Sequence, residues 1–193
     1  MINVSRETQD KLDHYAKLLK KWQQAINLVS QSTLDDVDIR HFADSQQLDP
    51  YIDQGAVIYD LGSGAGFPGL VLAITRPDLD VNLIESDQRK CQFLRTVSRE
   101  TGTDVQIHNC RIEAIDLPAP DIVTARALAP ISDILGYMRN WALSRADLKA
   151  ILLKGANTEA EIENAKTHND FTAEMAASQT GDGYIVSIYD IKA

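Results

Sequence analysis

The chain contains little cysteine, and it has no long apolar run. Cys91 and Cys110 are its two cysteines and neither lies in a C-x-x-C spacing, which excludes a disulfide framework and a four-cysteine zinc site. No apolar run approaches the roughly 18 residues that span a bilayer, and the first residues, MINVSRETQDKLD, lack an apolar leader core. We therefore expect a soluble cytoplasmic protein with reduced thiols, no metal ion and no membrane contact.

Positive charge is also scarce, since 19 Lys and Arg stand against 28 Asp and Glu, a net charge of −9. This balance argues against a uniformly basic surface for nucleic acid. The acids are concentrated, however, because residues 33–53 and 155–193 each carry a charge of −5 and the remainder carries +1. Two basic segments are left, with the cations Lys11, Lys17, Lys20 and Lys21 in the first and Arg89, Lys90, Arg95 and Arg99 in the second. RNA binding is therefore possible if it is local.

Length and composition indicate one globular domain over residues 1–193. We expect a helical N-terminal part at 1–54 and a Rossmann-like core at 55–193. In the first part, an apolar stripe of helical spacing predicts an amphipathic helix, with Leu12, Tyr15, Leu19, Trp22 and Ile26 on one face. Thr33 and Asp36 resemble a capping box, which predicts a second helix that carries His41, Asp44 and Ser45 on one face.

From residue 56 onwards, short apolar runs alternate with helical patterns. Strands are predicted at 56–61, 81–84, 105–108, 121–125 and 148–153, and helices at 70–75, 88–101, 131–141 and 158–166. Continuous hydrophobicity in these strands is typical of a parallel sheet covered on both faces. Residues 171–178 and 184–191, separated by QTGDG, predict a hairpin. The expected fold is α/β and doubly wound, mostly parallel with an antiparallel C-terminal strand.

A glycine-rich loop, DLGSGAGFPG at residues 60–69, follows the first strand. A dinucleotide fingerprint would have glycine where Phe67 stands, and the preceding Asp60 would repel a phosphate but can interact with an ammonium group. Glu85 ends the second strand, where a carboxylate can accept both ribose hydroxyls. These features favour S-adenosylmethionine, a nucleoside with a charged amino acid and no phosphate. The alternative is a tight strand-to-helix turn without a ligand.

These motifs resemble the RsmG (GidB) family, methyltransferases of N7 of a guanine in the 16S rRNA of the small ribosomal subunit. The matching segments are 22–28 (WQQAINL), 41–45 (HFADS), 60–69, 85–90 (ESDQRK), 111–113 (RIE), 124–127 (TARA) and 153–155 (LKG). The last strand, YIVSIY from Tyr184, lacks the basic residues that family members often carry there. The resemblance implies a class I S-adenosylmethionine-dependent methyltransferase fold that begins with N-terminal helices.

The chemistry of the glycine loop and the resemblance together give a set of expected cofactor-binding residues. These are Asp60, Gly62, Gly64, Gly66, Phe67, Glu85, Ile112, Glu113 and Arg126. Ile112 and Glu113 would lie along the adenine, and Arg126 would face both cofactor and substrate. Three alternatives stay open: Ile112 in the core, Glu113 on the surface, and Arg126 in a structural ion pair.

The predicted chemistry needs no general base, since N7 of guanine has a free in-plane lone pair and no proton to lose. Arg126 and Lys154 would hold the guanine edge or its flanking phosphates as catalytic groups. His41, Asp44 and Ser45 would form the opposite wall or, alternatively, a helix-packing cluster. RNA contacts are expected at Arg89, Lys90, Arg95 and Arg99.

The expected partner is 16S rRNA or the 30S subunit, bound by a monomer. Two other readings stay open: a class I methyltransferase acting on another RNA, a protein or a small molecule, and a regulatory module that binds S-adenosylmethionine without transfer.

Overall fold

A computed structural model describes residues 4–192. Residues 1–3 and 193, the ends of the expected domain range, lie outside the described residues. Helix α1 (Arg6–Gln23) is capped by the Ser5 hydroxyl, which accepts a hydrogen bond from the Thr8 N–H. Its apolar stripe is buried as predicted as far as Leu19. Ile26 lies beyond the helix, because the Gln23 side chain accepts hydrogen bonds from the next loop and ends the regular turns.

The second predicted helix begins later than expected. Thr33 closes a 3₁₀ turn (Gln31–Thr33), and its hydroxyl donates to the Ser30 carbonyl instead of capping a helix. A π-helical segment (Asp38–Ala43) then continues directly into the short helix α2 (Asp44–Gln46), followed by a 3₁₀ turn (Asp49–Tyr51). The capping-box prediction is therefore wrong, and the polar residues at 41–45 lie on a π-to-α junction.

The rest of the described chain builds a seven-stranded sheet with the order β3-β2-β1-β4-β5-β7-β6. The strands are β1 (Val57–Leu61), β2 (Asp80–Glu85), β3 (Gln106–Asn109), β4 (Ile122–Arg126), β5 (Lys149–Lys154), β6 (Asp170–Ala177) and β7 (Tyr184–Lys192). Strands β1 to β5 pair in parallel, whereas β7 pairs antiparallel with both β5 and β6. The predicted fold class is confirmed.

Helices cover both faces of the sheet. They are α3 (Gly69–Thr75), α4 (Gln88–Thr101), α5 (Ile131–Ser144) and α6 (Thr158–Lys166). Neighbouring residues of β1 belong to opposite cores: Ile58 packs with α1, α3 and α4, and Tyr59 packs with α5 and α6. Among residues 4–192, no helix is long and apolar enough to cross a bilayer.

The strand order reverses between β1 and β4, the two strands that adjoin at the middle of the sheet. In open α/β sheets, such a switch point leaves a crevice outside the carboxyl ends of the strands. Asp60 and Arg126 lie near the carboxyl ends of β1 and β4. The fold thereby brings together the residues that the sequence placed on separate strands.

Candidate active site

The glycine loop is held to the end of β2 by the Glu85 carboxylate. Its Oε2 accepts the Gly64 N–H at 2.9 Å, and its Oε1 accepts the Asp87 N–H at 2.7 Å. Gly64 has a φ of +56°, a conformation that glycine adopts without a steric penalty. The arrangement places the glycine backbone and a carboxylate side by side at the edge of a cleft.

Asp60, in contrast, is not exposed at the cleft surface. Its side chain is fully buried beneath the loop, where it accepts hydrogen bonds from the Gly69 N–H at 3.2 Å and the Thr124 hydroxyl at 3.0 Å. Burial raises the pKa of this carboxyl to about 6, although these hydrogen bonds and Arg126 oppose the shift. The carboxylate thus supports the loop from below, and its contact with a cofactor ammonium group stays a prediction.

Gly66 also has a packing role. A Cβ atom at this position would lie 2.5 Å from the Tyr15 hydroxyl oxygen and 2.9 Å from the Leu70 Cβ atom. The Tyr15 hydroxyl in turn donates to the Ala65 carbonyl, so that α1 is tied to the glycine loop. A side chain at this position would clash with the buried contact, so glycine is required for packing, and the role of Gly66 in the cofactor pocket stays a prediction.

A cleft of about 280 Å³ opens beside the glycine loop. Its walls include Gly62, Gly64, Ile84, Glu85, Lys90, Cys110, Ile112, Glu113, Arg126 and Leu128. Ile112 and Glu113 belong to a 3₁₀ turn (Ile112–Ala114) that follows β3, and both are at least partly exposed. The cleft thus combines apolar side chains, backbone groups of glycines and two carboxylates.

Phe67 belongs to an aromatic cluster under this cleft. The ring is buried and stacks on Tyr15 at 5.6 Å and on His41 at 4.7 Å between ring centroids. The Arg126 guanidinium carbon lies 4.7 Å from the same ring centroid, a cation–π contact. Phe67 thus supports the Arg126 guanidinium, and its contact with the cofactor stays a prediction.

Arg126 lies where two clefts meet. Its Nη1 is 3.2 Å from the Arg40 carbonyl oxygen and 3.4 Å from Asp44 Oδ2. Burial lowers the pKa of the guanidinium, and the nearby Asp44 carboxylate opposes the shift. The ion-pair alternative describes part of this geometry, yet the side chain is 20% exposed and lines both clefts. The ion pair orients Arg126 without hiding it.

The second cleft is larger, at about 660 Å³, and shares Arg126, Ala127 and Leu128 with the first. Lys154 lines it, but its ammonium is 2.6 Å from Glu161 Oε2 and donates to the Ala129 carbonyl at 2.8 Å. The lysine side chain is only 8% exposed. Lys154 is therefore a mostly buried member of an ion pair in the cleft wall, and its contact with the guanine edge or its flanking phosphates stays a prediction.

The polar residues at 41–45 divide between packing and the cleft. His41 is buried, its Nε2 lies 2.9 Å from the Thr33 hydroxyl oxygen, and burial together with Arg126 and Arg40 lowers its pKa to about 3. The buried Ser45 hydroxyl donates to the His41 carbonyl at 2.6 Å. For His41 and Ser45 the packing alternative is the one observed, whereas Asp44 lines the larger cleft.

The sequence did not predict two further parts of the site, the turn between β6 and β7 and the Gln47 side chain that holds it. The turn between β6 and β7 forms one wall of the larger cleft, and Gln47 fastens it by accepting the Gln179 N–H at 2.6 Å. The Thr180 hydroxyl donates to Asp44 Oδ1 at 2.6 Å. These contacts join residues more than 130 positions apart, and no local sequence pattern reveals such a pairing.

The basic residues of α4 are placed at the surface beside α1. Arg89, Arg95 and Arg99 are exposed, and Lys90 lines the smaller cleft. Two of these arginines have acidic neighbours. Arg89 lies 3.7 Å from Asp87, which precedes α4, and Arg99 lies 3.4 Å from Glu100, near the end of the helix. The basic surface is therefore partly neutralised. Among residues 4–192, no group of three or more His, Cys, Asp or Glu side chains is arranged to hold a metal ion.

Solved structures share this architecture at low sequence identity. Magnesium protoporphyrin IX methyltransferase from Synechocystis PCC 6803, solved with bound S-adenosylmethionine, superposes with a TM-score of 0.60 at 12% identity, covering 100% of both chains. At this identity the likeness extends to the fold alone.

Sequence relatives are closer. The protein named ribosomal RNA small subunit methyltransferase G of Paramagnetospirillum magneticum is 47% identical over 95% of this chain and 88% of its own length. The protein of the same name from Gluconobacter oxydans is 42% identical over 100% of this chain and 98% of its own. The family model described as GidB, rRNA small subunit methyltransferase G, matches residues 8–181. The chain belongs to the GidB family.

Proposed function

We propose that this protein transfers a methyl group from S-adenosylmethionine to N7 of a guanine in the 16S rRNA of the small ribosomal subunit. Two adjoining clefts at the carboxyl ends of the parallel strands carry this proposal, because they meet at Arg126. The smaller cleft fits a nucleoside cofactor, and the larger one has room for a nucleotide. Membership of the GidB family supports the RNA substrate.

The residues of the smaller cleft fit S-adenosylmethionine in their chemistry. The Glu85 carboxylate would hold the ribose hydroxyls, and the Gly62 and Gly64 backbone would allow close approach of the ligand. Ile112 would cover the adenine, with Glu113 beside its edge. When bound, the cofactor supplies an electrophilic methyl group on a sulfonium.

The reaction at N7 requires orientation more than proton transfer. The N7 atom has a lone pair in the plane of the base and no proton to lose, so a general base is unnecessary. His41 is poorly suited to such a role in any case, since it is buried and its pKa is lowered to about 3. The protein would act by holding the guanine with N7 directed at the smaller cleft.

Charge neutralisation around the reacting base follows from the ion pairs in the cleft. Methylation gives guanine a positive charge, which an isolated guanidinium or ammonium nearby would destabilise. Arg126 is paired with Asp44, and Lys154 is paired with Glu161. Each cation could therefore donate hydrogen bonds to O6 or to a phosphate while its carboxylate limits the repulsion. In this proposal Arg126 is the catalytic residue, and Lys154 shapes the wall.

We further propose that residues 1–193 act as one domain, as a monomer in the cytoplasm, and that the exposed α4 arginines contact RNA beyond the cleft. A basic surface of this kind, even when partly neutralised, would attract the phosphate backbone and steer the RNA towards the site.

Labelled methyl transfer tests the proposed function. The substrate is 30S subunits from a strain that lacks the gene for this protein, with separate reactions on deproteinised 16S rRNA, and the modified base is mapped. We expect label at N7 of one guanine, no uptake by subunits from the parent strain, and loss of transfer with Arg126→Ala. Transfer to another base, to protein or to no component of the subunit would contradict the proposal.

A further inference from the structure

The larger cleft has three cations in its walls, and they differ in their partners. Arg126 and Lys154 are each paired with a carboxylate. Arg40 is exposed, and in the described part of the chain no carboxylate lies within ion-pair distance of it. Among the described residues, the one hydrogen bond that its guanidinium makes is a long one of 3.4 Å from Nη1 to the Thr180 carbonyl oxygen. Most of its five N–H donors therefore remain available.

The backbone of Arg40 is held in place, whereas its guanidinium makes only the long hydrogen bond to Thr180. The Arg40 carbonyl accepts a hydrogen bond from Arg126 Nη1, and the next residue, His41, stacks on Phe67. The guanidinium lies against the β6–β7 turn, where a Cβ atom at Gly181 would come within 3.2 Å of its Nη1. A charged side chain whose backbone is already ordered loses less conformational entropy when it binds a ligand.

A guanine that enters the cleft brings its own phosphates. N7 takes no part in Watson–Crick pairing, but the deep, narrow major groove of A-form RNA hides it, so we expect the base to be presented unpaired or extruded, with its flanking phosphates at the cleft. The Asp182 carboxylate, also in the cleft wall and without an ion-pair partner in the described range, repels a phosphate. Arg40 offers the opposite charge and the forked donor geometry that matches phosphate oxygens.

We propose that Arg40 binds an RNA phosphate next to the target guanine and thereby positions the substrate in the larger cleft. This inference rests on the proposed function. Arg40 lies outside the cofactor site, so its part in substrate binding can be tested separately from the proposed methyl transfer. Removal of the charge should reduce RNA binding without changing the affinity for S-adenosylmethionine.

The test compares Arg40→Gln with Arg139→Gln, which removes an exposed arginine from α5, outside both clefts. The measurements are kcat/KM on 30S subunits over a series of potassium chloride concentrations and calorimetric binding of S-adenosylmethionine. For Arg40→Gln we expect a loss of about tenfold in kcat/KM, the size of one charge-assisted hydrogen bond. The slope of log kcat/KM against log salt should become shallower by about 0.7 to 0.9. Arg139→Gln should match the wild type.

Arg40→Lys gives a second test that preserves folding and charge. Its salt slope should equal that of the wild type, while its KM rises because an ammonium lacks the forked geometry. An unchanged slope in Arg40→Gln, whether or not activity falls, would overturn the proposal and indicate that Arg40 only supports the turn. Activity of the wild-type enzyme in the same assay separates this outcome from failure of the proposed function.

Discussion

Replacement of Asp60 by asparagine should change how the stability of the protein depends on pH. The buried carboxyl has a pKa of about 6 against an ordinary value of 3.8, so that the folded state retains a proton that the unfolded state has released. Between pH 4 and pH 6, folding should therefore lose about 1.4 kcal/mol per pH unit through this group as the pH rises. The full effect is about 3 kcal/mol.

His41 acts in the opposite direction over the same range. Its pKa falls from 6.5 to about 3, so the unfolded state binds the proton first and stability falls as the pH drops below about 6.5. The slope is again about 1.4 kcal/mol per pH unit. Between pH 4 and pH 6 the two contributions oppose each other, and the wild type should show little net dependence from this pair.

Asp60→Asn should expose the histidine contribution. We expect the free energy of unfolding of the variant, relative to wild type, to rise by about 2 to 3 kcal/mol between pH 4 and pH 6.5. Urea titrations followed by circular dichroism provide the measurement, with Asp35→Asn, an exposed aspartate, as the control. His41→Phe preserves stacking on Phe67 and should give the opposite trend. A difference between Asp60→Asn and wild type that stays constant with pH would refute the assigned protonation of Asp60.

Three further predictions rest on substitutions, the first of them with a matched control. Gly64→Ala and Gly102→Ala impose similar strain, since the φ angles are +56° and +60° and no side chain lies close, yet in calorimetry only the Gly64 variant should bind S-adenosylmethionine more weakly. Ala127 lies between the clefts with a φ of +50°, so Ala127→Gly should raise the unfolding free energy by about 0.5 to 1 kcal/mol; a decrease would contradict this strain. Glu161→Gln leaves the Lys154 ammonium without its carboxylate and should destabilise the fold by about 2 kcal/mol in urea titration, whereas an unchanged midpoint would show that the pair contributes nothing.

Several elements were predictable because their determinants are local. The pattern of α4 predicted its limits at 88–101, and α6 was predicted equally well at 158–166. Asp87 caps α4 by accepting the Arg89 and Lys90 N–H groups, and Gly102 ends it with a positive φ. Caps and periodicity of this kind lie within a few residues of the helix. The segment at 33–46 was predicted poorly because its π-helical turns satisfy a tertiary contact, the stacking of His41 on Phe67, rather than a local preference.

The candidate site was only partly predictable for the same reason. A motif can place Asp60 next to the glycine loop, but it cannot tell whether the carboxylate points up to a ligand or down to Thr124. The sequence also could not predict that Lys154 would find Glu161 or that Arg126 would find Asp44. Each of these pairings depends on how distant elements pack.

By itself, the sequence determined the α/β class, the glycine loop with Glu85, and the family resemblance, since hydrophobic periodicity, turn residues and short motifs are written in adjacent positions. Only the tertiary structure decided which charges are paired and which remain free to bind a ligand. The net charge of −9 is a sum over the chain, whereas recognition depends on the cations exposed in one cleft. That distribution is fixed by long-range packing, which, within residues 4–192, leaves Arg40 without a carboxylate partner beside two neutralised cations.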